Sequence, residues 1–153
     1  MVKEQYKIAD VIPHSSPMVL LDHIIEQHGD ELSAEITISE NSRFFESEYG
    51  GVPGWVGIEY MAQAIAALAG IHSKQKNEAI KLGFLLGTRK YNMPGKIFEV
   101  GETYQINVKQ LYMDDSGLAS FDCQILNGDL LCVQAKLNVF ETDDAQQILE
   151  TNK

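Results

Sequence analysis

The sequence predicts an α+β domain in which one long apolar helix is enclosed by a strongly curved antiparallel sheet of about six strands. The run from Pro53 to His72 is apolar on nearly every side of a helix, and such a helix is normally buried. The second half of the chain is a series of strand-like segments separated by turn residues. Since the chain has 153 residues, 44% of them hydrophobic, we expect a single domain over residues 1–140 and a polar tail over 141–153.

The first elements are predicted to be a short helix and a β-hairpin. The pattern from Ile8 to Ile12 indicates a short helix, which Pro13 ends. Residues 17–27 are rich in β-branched and apolar side chains, and residues 31–38 alternate between apolar and polar. The intervening residues 28–30, His-Gly-Asp, predict a turn between two strands.

A loop over residues 41–52 is expected to lead to the central helix, which Pro53-Gly54 begins. The remaining predicted strands are Lys81 to Tyr91, Thr103 to Met113, Leu118 to Leu126 and Leu130 to Phe140.

The two cysteines are too few for a disulfide framework. If Asn127-Gly128 forms a two-residue type I′ turn, Cys123 faces Cys132 across the last hairpin. We expect both thiols to remain reduced and to pack as small apolar side chains.

One carboxylate, that of Glu59, lies within the otherwise apolar helix. A buried carboxylate must be paired, protonated or used in chemistry. Gln63 is one turn further along on the same face. Glu59 is therefore the first catalytic candidate, and the alternative is a core glutamate whose head reaches solvent or a hydrogen-bond partner.

The net charge of −10 argues against general nucleic-acid binding, which needs clustered Lys and Arg. Residues 79–98 differ from this average because they contain no acidic residue. Four basic residues lie there: Lys81, Arg89, Lys90 and Lys96. These residues are either ordinary solvated charges of loops and strands or a basic patch, which would matter only for an anionic substrate or partner.

The start of the chain has mixed charges and no apolar segment of the kind found in secretory signals. The central helix has the length of a membrane span, but its Glu and Gln argue against one. We therefore expect a cytoplasmic protein without a membrane span. The four histidines and two cysteines lack the spacing of a metal site, so no metal or cofactor is expected.

Two blocks of sequence resemble the β-hydroxyacyl-acyl carrier protein dehydratases of fatty acid synthesis, which have a hotdog fold. The first block is Ile12-Pro13-His14 followed by PMVLLDHI, and the second is FFESEYGGVPGWVGIEYMAQA. Within this group, Pro-Gly-Trp-Val-Gly-Ile-Glu-Tyr-Met is most similar to the dehydratase-like hotdog proteins of aryl polyene gene clusters. The resemblance implies a long central helix wrapped by a curved antiparallel sheet.

The resemblance also implies a catalytic pair, which in the family is a loop histidine and an acidic residue on the helix. The acid carries over to Glu59. Where the family has Phe-Phe-x-x-His-Phe, this chain has the segment 44–49, Phe-Phe-Glu-Ser-Glu-Tyr, so Glu48 stands at the place of the histidine. The base is then Glu48, or His14, which matches a second family histidine, or it is lost.

Further implications concern binding and assembly. Backbone N–H groups at the helix start, around Gly54, would stabilise the substrate oxygen, and Gln63 is expected to contact the substrate. Arg89 and Lys90 would receive an acidic acyl carrier protein. The substrate would be a thioester of that protein or of coenzyme A, bound between subunits of a homo-oligomer or a hetero-oligomer with another hotdog subunit. Three functions remain open: a dehydratase-like protein acting on 3-hydroxyacyl thioesters, an acyl thioesterase, and a non-catalytic subunit.

Overall fold

The computed structural model describes residues 6–13, 18–79, 82–92 and 97–142. The helices are α1 (Ile8–Val11) and α2 (Gly57–Gln75), and a 3₁₀ turn over Gly54–Val56 leads into α2. The strands are β1 (His23–His28), β2 (Glu31–Thr37), β3 (Gly51–Pro53), β4 (Leu82–Asn92), β5 (Ile97–Glu99), β6 (Thr103–Met113), β7 (Leu118–Asn127) and β8 (Leu130–Thr142).

Six of the strands form one antiparallel sheet in the order β1-β2-β6-β7-β8-β4. Alternate residues of its strands are buried, as in β7, where Ala119, Phe121, Cys123 and Ile125 face the core. Helix α2 packs against β2, β4, β6 and β7. The predicted α+β architecture, with one central helix against an antiparallel sheet of about six strands, is confirmed.

Helix α2 is the centre of the core. In the described part of the chain, one helical stretch, Gly54–Gln75, is long and apolar enough to cross a bilayer, with a mean hydropathy of 1.2. Of the 18-residue apolar segment within this helix, 67% is buried inside the protein. The side chains of Met61, Leu68 and Ile71 have no exposed surface. This is the behaviour of the core helix of a sheet-wrapped domain.

The predicted first strand begins later than its composition suggests. Strand β1 starts at His23, although the apolar run starts at Pro17. Leu20 and Leu21 are buried, and the backbone N–H of Leu20 donates to the side chain of Gln63 at 2.9 Å. This part of the run is therefore attached to the helix instead of to the sheet.

The last hairpin turns one residue later than predicted. Asn127 pairs with Leu130, so the two-residue loop is Gly128-Asp129, and Gly128 has a φ of 60°. A register shift between Ile125 and Leu126 then places Cys123 opposite Ala135. The prediction that Cys123 faces Cys132 is wrong, because the positive φ at Gly128 and the bulge move the register.

A second, two-stranded ladder was not predicted. Strand β3 pairs with β5 through Gly51–Glu99, Val52–Phe98 and Pro53–Ile97. This ladder lies immediately before the 3₁₀ turn and fixes the point at which the chain enters α2.

Candidate active site

The start of the central helix provides hydrogen-bond donors. Pro53 precedes the 3₁₀ turn with a φ of −56° and, among the described residues, gives it no side-chain cap. The first N–H groups of a helix have no intrahelical acceptor and lie at the positive end of the helix dipole. The backbone around Gly54 is therefore suited to an oxygen that gains negative charge.

Glu59 is the third residue of α2 and is half-buried. The Nε2 atom of Gln63 lies 3.5 Å from the Oε1 atom of Glu59, so the two polar side chains share one face of the helix, as predicted. Glu59 lines a cleft of about 130 Å³. The other lining residues are Pro13, Ala62, Ile65, Ala66, Ala69, Gly83, Leu85, Val139 and Glu141.

The cleft is mostly apolar and lies between the helix and the edge strand β4, which is the last strand of the described sheet. Leu85, which lines it, and Leu86 beside it are both exposed. A cleft of about 130 Å³ is smaller than the roughly 300–1,000 Å³ of ordinary ligand pockets. The cleft formed by the described residues is therefore smaller than an ordinary ligand pocket.

Glu48 lies at the tip of a small loop that is closed by backbone hydrogen bonds. The N–H of Glu46 donates to the carbonyl of Gly51 at 2.8 Å, and the N–H of Gly50 donates to the carbonyl of Glu46 at 3.0 Å. Glu48 is exposed. It is not among the residues that line the Glu59 cleft within the described part of one chain, so its predicted role as the base stays a prediction.

Exposed aromatic side chains lie within this loop and at the start of the helix. Tyr49 and Trp55 are 59% and 62% exposed. Trp55 packs edge-on against Phe44, with ring centroids 5.5 Å apart. The loop and the helix start therefore share an apolar surface.

Gln63 has no exposed surface. Its Oε1 accepts from the N–H of Leu20 at 2.9 Å, and its Nε2 donates to the carbonyl of Met18 at 2.6 Å. The amide thus attaches the segment before β1 to the helix, and its predicted contact with substrate stays a prediction.

The other predicted site residues are placed only in part. His14 lies outside the described residues. Arg89 and Lys90 lie on β4 at the edge of the sheet, where Arg89 pairs with Lys136. Their side chains are outside what the structure describes, so the basic patch also stays a prediction.

The fold and these residues can be compared with known proteins. A family model described as ApeP-like, ApeP dehydratase, matches residues 6–150. The chain belongs to the ApeP-like dehydratase family. This confirms the predicted relationship to the dehydratase-like proteins of aryl polyene clusters.

Relatives of known name support the same assignment. The 3-hydroxyacyl-[acyl-carrier-protein] dehydratase FabZ of Myxococcus xanthus is 30% identical over 135 residues, which cover 82% of this chain and 87% of that protein. The enzyme of the same name from Oceanobacillus iheyensis is 29% identical over 130 residues, with 78% and 89% covered. This ApeP-like protein is thus a dehydratase-like hotdog protein related to FabZ.

Solved structures agree. The Dehydratase Heterocomplex ApeI:P from Xenorhabdus doucetiae has a chain that is 32% identical and superposes with a TM-score of 0.89, covering 97% of this chain and 99% of that one. The uncharacterized protein PH1136 from Pyrococcus horikoshii superposes with a TM-score of 0.65 at 13% identity, with 97% and 99% covered, which shows the fold alone.

Sequence reasoning missed two residues of the candidate site. Glu141, which was predicted to begin the tail, lines the Glu59 cleft because β8 continues to Thr142. Tyr91 donates a hydrogen bond from its hydroxyl to the carbonyl of Gly54. The sequence carries no signal for this contact, since the two residues are 37 positions apart.

Proposed function

We propose that this ApeP-like protein takes part in dehydrating 3-hydroxyacyl groups carried as thioesters on an acyl carrier protein, as one subunit of a hotdog assembly. The observation that supports this most is the position of Glu59. It stands in the first turn of a buried helix, close in sequence to the helix-start N–H groups, and lines an apolar cleft.

The chemistry needs three groups. A base removes the proton α to the thioester carbonyl, and the electron pair moves to the carbonyl oxygen, where the N–H groups around Gly54 stabilise the enolate. The pair then forms the new C=C bond as the bond from the β carbon to its hydroxyl oxygen breaks. The carboxyl group of Glu59 gives a proton to the departing hydroxyl oxygen, and one water leaves.

The site is best completed by a second subunit. The Glu59 cleft of one chain is too small for an acyl chain and its thioester, and it lies beside the exposed Leu85 of the edge strand. Exposed Trp55 and Tyr49 are side-chain types enriched in protein interfaces.

The base is the open part of the mechanism. In an assembly, the exposed Glu48 would meet the Glu59 of a neighbouring subunit, and two adjacent carboxylates do not both ionise, so one serves as acid and the other as base. His14 is the other candidate within the chain.

Arg89 and Lys90 would receive the acidic carrier protein, in the cytoplasm.

A second candidate function is that of a subunit without its own base, which completes the site of a histidine-bearing hotdog partner. The likeness to a chain of a dehydratase heterocomplex favours it.

The test is dehydration of a 3-hydroxyacyl carrier-protein thioester, followed by intact mass, with the protein alone and mixed with a histidine-bearing hotdog dehydratase. We expect loss of water, and Glu59→Gln should slow it by about 100-fold or more, since general acids contribute roughly 10²–10⁴-fold. Full activity of Glu59→Gln in both settings would end the site assignment, and release of free acid would indicate a thioesterase.

Two matched variants locate the base. Glu46 and Glu48 are both exposed in the same loop, so Glu46→Gln controls for charge loss in Glu48→Gln. A loss confined to Glu48→Gln makes Glu48 the base, and a loss confined to His14→Ala assigns His14. If the protein alone is inactive but raises the activity of the partner above that of the partner alone, and neither variant changes this, the result supports the subunit without a base.

A further inference from the structure

A tyrosine from the edge strand contacts the backbone at the helix start. The hydroxyl of Tyr91, in β4, donates to the carbonyl oxygen of Gly54. Tyr91 is partly buried against the core, and burial raises the pKa of its hydroxyl. The phenol therefore keeps its proton, and remains a donor, throughout the neutral range.

The hydroxyl of Tyr91 lies close to Gly57. A Cβ added at Gly57 would overlap the hydroxyl of Tyr91 and would lie 2.9 Å from the Cζ of Phe98. Any side chain at position 57 would therefore displace the tyrosine or the ring beneath it.

The hydrogen bond is not needed to satisfy the Gly54 carbonyl. That oxygen already accepts from the N–H of Gly57, and unpaired backbone groups at a helix start are N–H groups, whereas carbonyls are unpaired at the other end. The contribution of Tyr91 is therefore to fix the direction of the Gly54–Trp55 peptide.

The other side of the helix start is fixed by the sheet. Pro53 pairs with Ile97 in the β3–β5 ladder, and its ring restricts φ. The short segment that leads into α2 is thus held by the β3–β5 ladder at Pro53 and by the tyrosine hydroxyl at Gly54. A hydrogen bond donated to a peptide carbonyl also polarises the N–H of the same peptide group, which here is the N–H of Trp55.

We infer that Tyr91 is a positioning residue, which orients the helix-start N–H groups toward the thioester carbonyl. This rests on the proposed function. It names a residue of β4, outside the loop and helix that supply the other groups.

The chain offers a matched control. Tyr60 is 1% exposed, and its hydroxyl has no hydrogen-bond partner among the described residues. Tyr60→Phe and Tyr91→Phe each remove one hydroxyl from a core tyrosine, but only the second removes a contact to the helix start.

The kinetic test uses whichever assembly of the full chain is active. Tyr91→Phe should lower kcat about tenfold with KM within about twofold, and Tyr60→Phe should leave both unchanged. The effect should be smaller than the roughly 100–1,000-fold cost of removing an oxyanion donor itself, because Tyr91 acts through the backbone. An unchanged kcat in Tyr91→Phe, or an equal loss in both variants, would overturn the inference.

A spectroscopic test separates this inference from the proposed function. A saturated acyl pantetheine thioester with a ¹³C-labelled carbonyl binds without reacting, because it has no hydroxyl to lose. Its carbonyl stretch should move to lower frequency on binding the wild-type protein, and by less on binding Tyr91→Phe. Equal shifts in the two proteins would refute the positioning role, whereas a wild-type protein that shifts the band but never dehydrates a substrate would refute only the proposed function.

Discussion

Gln63 shows how one side chain can connect two parts of the fold. Its amide donates to the carbonyl of Met18 and accepts from the N–H of Leu20, with no exposure to solvent. The sequence predicted that it shares a helix face with Glu59, because that follows from helical spacing. It did not predict the partners of the amide, since they lie 43 to 45 residues away.

Replacing Gln63 by Met keeps the volume and removes both hydrogen bonds. We expect the free energy of unfolding to fall by about 2–4 kcal/mol, because the buried N–H of Leu20 and the partly buried carbonyl of Met18 both lose their partner. Urea denaturation at neutral pH measures this. Gln75→Met, at an exposed position near the end of the same helix, is the control and should stay within about 0.5 kcal/mol of wild type. Equal effects in the two variants would contradict the role given to Gln63.

Glu59 could be found from sequence because a charge within an apolar helix is visible in the residue pattern. Tyr91 could not be found in this way. Its contact depends on how an edge strand lies over the helix start, which follows from the register of β4 on β8 with its irregularities at Leu85–Gly87 and Arg89–Asn92. Side-chain chemistry predicted Glu59 as a candidate acid, whereas the contact of Tyr91 with Gly54 is visible only in the tertiary structure.

Among the elements, α1 and α2 meet at a position without a side chain. A Cβ added at Gly70 would overlap the carbonyl oxygen of Val11, and Val11 is itself fully buried. Both helices were predicted from the sequence, but their contact was not, because close approach of two backbones leaves no periodic pattern.

Gly70→Ala tests this contact through the sign of its effect. In an isolated helix, alanine is favoured over glycine by about 1 kcal/mol. Here we expect a loss of roughly 1–3 kcal/mol in unfolding free energy, because the new methyl group must push α1 away. Gly87→Ala in β4, where an added Cβ has no neighbour within 4 Å, should cause little change in the same thermal or urea measurement. A more stable Gly70→Ala protein would show that α1 moves freely.

The accuracy of the predicted strands follows the length of their pattern. Strand β6 has the predicted bounds, Thr103–Met113, because its first half alternates between polar and apolar residues and turn residues follow Met113. Strands β3 and β5 have three residues each and were missed, since so few residues cannot establish a period. The turn at Gly128 was misplaced by one residue because glycine is favoured at the first loop position of some hairpin turns as well as at the second position of an Asn-Gly turn.

At the scale of the whole molecule, the core retains protons that an unfolded chain would lose in alkali. Burial raises the pKa of the hydroxyls of Tyr60, Tyr91 and Tyr104. It also raises the pKa of the Cys123 thiol from the ordinary 9.0 to about 12. All four groups are neutral when protonated, so the folded state favours the protonated form of each.

We therefore expect stability to decline as the pH rises. The unfolded thiol loses its proton near pH 9 while the folded thiol keeps it until about pH 12. Within this window the folded state binds more protons, and the free energy of unfolding falls with increasing pH. Urea denaturation at a series of pH values from neutral to alkaline measures the slope. Cys123→Ala and Tyr60→Phe should each reduce it, and a slope unaffected by both would mean that other groups control it.

The loop at residues 46–51 has one more consequence. Its closure depends on main-chain bonds, such as those of Glu46 with Gly51 and Gly50, and not on the side chain at its apex. Evolution can therefore exchange the residue at position 48 without disturbing the scaffold. After a gene duplication, one of two associating subunits can change the reactive residue at position 48 while the other keeps it. The two subunits then differ in function but retain the same fold.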